Sequence, residues 1–380
     1  MGYKDVLFPN TTARGTRVLD ARVVYPSTKL GPDTPIIKKA GGYPVFVFMP
    51  GWNLFGKTYV EIGYQMAISG YVAVMLNSGR GNAFLQVDDC IALFTALEKE
   101  TAKSSVFFSD AFDMKHSAVG GHSSGAGNVA RVLAENPGYL AGVSLAPWIG
   151  HGGSHTKDHA PKVRVPLILM NGLGDTLTNW KTHALELFNQ ATGFTGIKML
   201  YLMNKESTHM NVAAWTFPTS TPRDKELFDL TFSVVIGFLD YYVKGDPRSL
   251  DFAVGRTARA QKRLVQLYIE TETPTLFKSG PEEIGKTMSF HVLSEPGVGI
   301  FQYALKRASI RTPIGLLLLD PATLGTGSLG PVNQGRLLSF DLPVPALSYL
   351  RGLVLPFQAL APTRSSPFRY TGSVDLRVAR

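Results

Sequence analysis

Ser123 stands at the centre of the run Ala118-Val119-Gly120-Gly121-His122-Ser123-Ser124-Gly125-Ala126-Gly127. A serine hydroxyl is a weak nucleophile unless it is held exposed beside a base. The pattern Gly121-x-Ser123-x-Gly125 does this with a sharp strand-to-helix turn. Strand and helix pass so closely there that only glycine fits at the flanking positions. Ahead of it, residues 115–119 suit a buried parallel strand. Behind it, the spacing predicts a helix over residues 128–135, stopped by Asn136-Pro137-Gly138. The helix N-terminus then lies beside Ser123, where backbone N–H groups favour a developing negative charge. Ser124 is a second hydroxyl in the run but does not occupy the central position.

Such a serine needs a base, and the base needs an orienting carboxylate, in the chain order Ser, acid, His. A β-like run over residues 166–171 ends in Gly172-Leu173-Gly174-Asp175, and another over 197–203 leads to Asn204-Lys205-Glu206-Ser207-Thr208-His209. Asp175 and His209 therefore both follow strands and fall at the sheet edge that carries Ser123. The competitors fit less well. Asp158 lies in a polar loop, and Asp224 and Asp229 read as solvated positions on a later helix. His122 is inside the turn and faces the wrong way, and His183 reads as surface or core filler on a helix. Two backbone donors must hold the oxyanion. One is the Ser124 amide. The other is the Trp52 amide, on the turn Pro50-Gly51-Trp52-Asn53 that ends a strand over residues 43–49.

These passages, with Leu145-Ala146-Pro147-Trp148, make the chain from about Thr16 to Asp246 resemble the α/β-hydrolase branch of cutinase-type polyester (PET) hydrolases, platelet-activating-factor acetylhydrolases and chlorophyllases. The resemblance implies that Trp52 lends its ring to the substrate cleft as well as its amide to the oxyanion, and that Trp148 forms the other wall. The chain departs from the secreted polyester hydrolases in having Ser124 where they typically carry Met. It also has no disulfide pair and a long C-terminal tail. The expected reaction is ester hydrolysis. Ser123 attacks, His209 moves the proton, Asp175 orients the imidazole, and no metal or organic cofactor is required. A small-molecule or polymeric ester with an apolar or aromatic acyl group is the expected substrate. A thioesterase or peptidase with the same triad, or a binding protein acting through the C-terminal region, are the alternatives.

The elements that must position these residues are legible in outline. Residues 16–25 alternate as an early antiparallel strand, and 70–77 form a central strand after a helix from about Tyr59. Helices are expected over 84–103 and 224–243. Strands alternating with helices predict an α/β class, a doubly wound, mostly parallel sheet over residues 1–246. Over 250–380 glycine and proline become frequent. Short β-like runs at 264–270, 287–293, 299–304, 315–319, 336–340 and 373–378 predict a smaller β-rich module, a sandwich of unknown role and partner.

Composition agrees with an enzyme of this kind. Hydrophobic residues make up 44% of 380, enough for a sizeable core. The net charge of +9 is spread thinly in pairs such as Lys38-Lys39, so no phosphate-tracking groove and no nucleic-acid partner is expected. No apolar run approaches the ~18–20 residues of a membrane span. The single cysteine, Cys90, and the lack of a signal-like N-terminus point to a reducing, cytoplasmic setting, with a secreted mature form as the alternative. His151, His155 and His159 recur four apart, as on the face of a metal-binding helix. Gly152, Gly153 and Ser154 disfavour that helix, so the segment reads as a polar rim beside Trp148.

Overall fold

The computed structural model describes residues 1–12, 15–103, 107–150, 156–214, 220–332 and 336–379. The chain forms two compact units. One comprises Met1–Phe194, Met199–Lys244 and Gln261–Tyr268, the other Thr195–Lys198, Gly245–Ala260 and Ile269–Arg380. The first opens with a long hairpin of β1 (Gly2–Thr12) and β2 (Gly15–Tyr25), antiparallel from Gly2↔Tyr25 to Thr12↔Gly15, with the short β3 (Gly31–Pro32) beside β1. Asp5 and Arg22 face each other in this register, and the guanidinium donates two 2.8 Å hydrogen bonds to the carboxylate.

Strands and helices then alternate: β4 (Tyr43–Met49), α1 (Val60–Ile68), β5 (Val72–Leu76), α2 (Ala83–Thr101), β6 (Phe112–His122) and α3 (Ser124–Glu135). They continue as β7 (Ala141–Leu145), α4 (Thr156–His159), β8 (Leu167–Gly172), α5 (Ala184–Gln190), β9 (Ile197–Met203) and α6 (Pro222–Tyr242). With β10 (Leu264–Thr271) they make a ten-stranded mixed sheet of order β10-β9-β8-β7-β6-β4-β5-β2-β1-β3. The run β5-β4-β6-β7-β8 is parallel, and β2 pairs antiparallel to β5. Every residue of β4, β5, β7, β8 and β9 is buried. This is why these strands are mostly apolar from end to end: a strand covered on both faces has no solvent side to alternate with.

Parallel strands gather their carboxyl ends at one edge of the sheet, so the loops after β4, β6 and β8 emerge together. The loop after β9 is tied to them directly: Leu173 N–H donates to Met203 O and Gly174 N–H to Ser207 O, each at 3.0 Å. Among the described residues no helix is long and apolar enough to cross a membrane.

In the second unit, α7 (Leu250–Ala253) and α8 (Arg256–Arg259) precede β11 (Thr275–Ser279), β12 (Thr287–Leu293), β13 (Gly297–Tyr303), β14 (Arg307–Thr312) and β15 (Gly315–Leu319). Then follow β16 (Gly325–Val332), β17 (Leu337–Pro343), β18 (Val354–Ala361) and β19 (Arg369–Arg377). They form sheets β11-β12-β17, β16-β13-β18-β19 and β14-β15. Phe290 on β12 stacks on Phe357 on β18, centroids 4.0 Å apart, so the two larger sheets share one core with Met288, Val292, Phe301 and Leu376. Gln358, which alternates with Phe357 and Ala359 along β18, is fully buried outside that core and fully used. It accepts from Leu318 N and donates to Leu316 O and Thr371 O, at 2.8–2.9 Å.

Several elements differ from the sequence expectation. The run at 264–270 is not part of the C-terminal module's sheets but β10, the edge strand of the large sheet. The helix after Ser123 begins at Ser124, not at 128. The hairpin partner β1 has no counterpart in the expected elements.

Candidate active site

β6 ends at His122 and α3 begins at Ser124, so one residue, Ser123, makes the whole turn. Its backbone sits at φ 56°, ψ −120°, a conformation that costs a non-glycine residue on the order of 1–3 kcal/mol. Its carbonyl accepts from Gly127 N and Trp148 N at 3.0 and 2.9 Å, and its own N–H donates to Leu145 O at 3.0 Å, which holds the strained turn in place. A serine before a helix usually caps it through its hydroxyl. Ser123 makes no such side-chain cap bond, so the oxygen is left for other use. The flanking glycines are required by contact. A Cβ on Gly125 would lie 2.3 Å from Met49 O, and one on Gly121 2.5 Å from Gly125 C. The first of these approaches brings the start of α3 against the end of β4.

His209 lies on the loop after β9, its side chain 12% exposed, and its Nδ1–H donates to Asp175 Oδ2 at 2.8 Å. Asp175, after β8, is held from several sides. Oδ1 accepts from the amides of Leu177 and Thr178 at 2.9 and 2.8 Å, and Oδ2 accepts from the Thr178 hydroxyl at 2.6 Å. Burial pushes this carboxyl up, but the hydrogen bonds from His209 and Thr178 outweigh burial and leave it below its ordinary value, hence ionised.

Ser123 and His209 open onto one cavity of about 530 Å³ in the first unit, whose lining also includes Trp52, Ser124, Trp148 and Leu177. Asp175 lies behind His209, outside that lining. Trp52 is 57% exposed on the turn that Leu54 N–H closes onto Gly51 O at 3.1 Å. Ser124 is the first helical residue of α3, so its N–H is one of the donors that a helix leaves without an internal partner. The arrangement can pass a proton from a hydroxyl to an imidazole backed by a carboxylate, beside free backbone donors. That is the chemistry of acyl transfer.

Several participants were not legible beforehand, and two readings need correction. His183, expected as filler, stands just before α5 and stacks on Trp148 with centroids 4.9 Å apart and planes 24° apart, while Ile149 N–H donates to its Nδ1 at 3.2 Å. Asp224, expected as a solvated position, accepts from Asn211 Nδ2 at 3.0 Å and closes a capping box with Thr221. Asn211 in turn accepts from Thr208 N at 2.9 Å, so Asp224 braces the loop that carries His209. Gln86 donates to Pro50 O at 3.0 Å and accepts from Asn128 Nδ2 at 2.7 Å, fixing the turn before Trp52 to α2 and α3. Asp229 is paired with Lys225 on the surface of α6. Asp158 is exposed on α4.

Of the three spaced histidines, His151 and His155 lie outside the described residues. His159 ends α4 with Nδ1 3.7 Å from Glu135. Among the described residues no group of three or more His, Cys, Asp or Glu side chains is placed to hold a metal. Cys90 is fully buried on α2, and burial pushes its thiol up to about 12, so it is a packed hydrophobe and not a nucleophile. Residues 35–271 match the family described as PETase, PET hydrolase-like. No curated protein matches the chain.

Proposed function

The chain belongs to the PET hydrolase-like family, ester hydrolases of the α/β-hydrolase type, and on that premise we propose that it cleaves carboxylic esters through Ser123, His209 and Asp175. In this reading the large mixed sheet is a doubly wound hydrolase core, and the C-terminal β-rich region is a separate module beginning near residue 250. The observation that carries the proposal is the ionised Asp175 holding the His209 ring at 2.8 Å, with the strained Ser123 on the same cavity.

The reaction follows from these positions. Asp175 takes the proton-bearing Nδ1 of His209, so Nε2 is the free base. Nε2 accepts the Ser123 proton as Oγ bonds to the ester carbon, and the carbonyl oxygen becomes an oxyanion between the Trp52 and Ser124 amides. His209 returns the proton to the departing alcohol, leaving an acyl-serine. A water molecule then gives a proton to His209 as its oxygen bonds to the acyl carbon, and His209 returns that proton to Ser123 Oγ as the C–Oγ bond breaks and the acid leaves. Trp52 and Trp148 flank the opening and favour a flat, apolar acyl group over a charged one. Polymeric and small esters both fit a cavity whose rim carries a 57% exposed indole.

The test is labelling by a fluorophosphonate, with the adduct located by mass spectrometry, alongside turnover of p-nitrophenyl esters of increasing acyl length. An adduct on Ser123, lost in Ser123→Ala together with at least about a thousandfold in kcat, is expected. An unlabelled Ser123, or ester turnover that survives Ser123→Ala, sinks the reading.

A further inference from the structure

His122 precedes the strained serine, is fully buried, and has both ring nitrogens engaged. Its Nε2 lies 2.8 Å from the backbone carbonyl of His209. A carbonyl can only accept, so Nε2 carries the proton and Nδ1 is the acceptor. The Tyr59 hydroxyl, 2.8 Å from Nδ1, is therefore the donor. That hydroxyl accepts in turn from the Gly51 amide at 3.1 Å. A single directed chain runs from Gly51 N–H to Tyr59 OH to His122 Nδ1, and from His122 Nε2–H to the His209 carbonyl. Gly51 adjoins Trp52, and a Cβ on it would stand 3.0 Å from the Tyr59 hydroxyl and 3.3 Å from Ser123 Cβ.

We propose that Tyr59 and His122 are the positioning pair of this site. They tie the turn that carries the Trp52 amide to the backbone of the base, so that oxyanion donor and imidazole are set in one register about Ser123. The proposal rests on the reading of Ser123 and His209 as nucleophile and base. Neither Tyr59 nor His122 is assigned a proton-transfer step.

The chain also keeps one imidazole neutral beside another that must become charged. The rings of His122 and His209 have centroids 4.6 Å apart. The groups that face His122 are the Tyr59 hydroxyl, the His209 ring and, behind that ring, the Asp175 carboxylate. Burial and the neighbouring His209 ring hold His122 down to about 3, and the Tyr59 donor occupies the one nitrogen a proton could take. A cation at His122 would oppose the imidazolium that forms on His209 during turnover.

The experiment uses the full chain and compares wild type with Tyr59→Phe, which removes one oxygen. Expected is a loss of about tenfold in kcat with KM within about twofold, since misplacing reacting groups weakens the chemical step more than binding. The acidic fall in kcat is also expected to begin at higher pH, because His122 Nδ1 is then open to protonation. Wild-type kcat and pH profile in Tyr59→Phe overturn the proposal, as does a change confined to KM. Should Tyr59→Phe fail to fold, His122→Gln is set against His122→Leu. The amide can accept from Tyr59 and donate to the carbonyl, so the Gln form is expected to retain more of kcat. Equal losses in the two overturn the proposal. A wild-type chain that takes no fluorophosphonate on Ser123 defeats the hydrolase reading and this role together. A labelled wild type with an unaffected Tyr59→Phe defeats the pair alone.

Discussion

The carboxylate of Asp175 accepts four hydrogen bonds, of which only one comes from His209. The other three, from Leu177 and Thr178, fix the oxygen that receives Nδ1–H before any substrate arrives. Asp175→Asn keeps the shape but places an amide opposite Nδ1, which favours the wrong tautomer. We expect it to lower kcat on the order of 10³–10⁴-fold with little change in KM, measured by steady-state ester hydrolysis. His183 has a different use. Its ring lies nearly parallel to the Trp148 indole and is itself anchored by Ile149 N–H, so it limits how far that wall of the cleft can swing. His183→Ala is expected to weaken binding of an aromatic ester by about 2- to 10-fold in KM, the worth of one ring stack, and to leave kcat within about twofold. Equal kinetic constants for the two proteins would show that Trp148 needs no such support.

The turn between β6 and α3 is held by contact between elements, not by propensity. Gly125 lets α3 approach the last residues of β4, and a methyl group there meets the Met49 and Pro50 carbonyls at 2.3 and 2.5 Å. Gly125→Ala is expected to lower the stability of the fold by about 1–3 kcal/mol or more, read from the urea midpoint, with a loss of fluorophosphonate labelling. The motif made this element legible in sequence, because its glycines are demanded by the same geometry that exposes the serine. The buried strands β4, β5, β8 and β9 were legible for a similar reason, each being short and largely apolar, whereas β7, with Gly142 and Ser144 in five residues, was missed. The start of α3 was not, since Gly125-Ala126-Gly127 contains two poor helix formers that only the packing keeps helical. β1 was missed because Pro9 and the charged Lys4 and Asp5 break its pattern, and the partner that neutralises Asp5, Arg22, appears only once the register is known. β16 and β18 were missed through Gly325, Gly327, Gly330 and Pro356. The candidate site residues read from sequence were those on the Gly121-x-Ser123-x-Gly125 motif or just after an apolar strand run, as Trp52, Asp175 and His209 are. Tyr59, Gln86, Asn128 and His183 owe their places to partners from other elements, 63 residues away for Tyr59 and His122, and no short-range spacing announces such a pair.

Each of the two units encloses a buried histidine held neutral, His122 in the first and His291 in the second. His291 has Nε2 2.7 Å from the Ser279 hydroxyl and Nδ1 2.8 Å from that of Ser339. Burial is the main cause of both shifts, down to about 3 and about 4 from the ordinary 6.5. Below pH 6.5 the unfolded chain binds protons that the folded one refuses. Stability is therefore complete above that pH and declines as pH falls toward 4 and 3, by at most about 1.4 kcal/mol per pH unit for each site. Urea midpoints measured at pH 7.5, 5.5 and 4.5 check this, and a midpoint that stays constant over that range contradicts it. The enclosure of Cys90 has a consequence of its own. The chain has one thiol, and it lies wholly inside the first unit, so a thiol-modifying dye can react only with molecules that have momentarily come apart there. Where reclosing outruns modification, the dye's rate of uptake is the intrinsic thiol rate multiplied by the open fraction. The protein thus carries its own clock for native-state breathing, readable without denaturant and without an introduced cysteine.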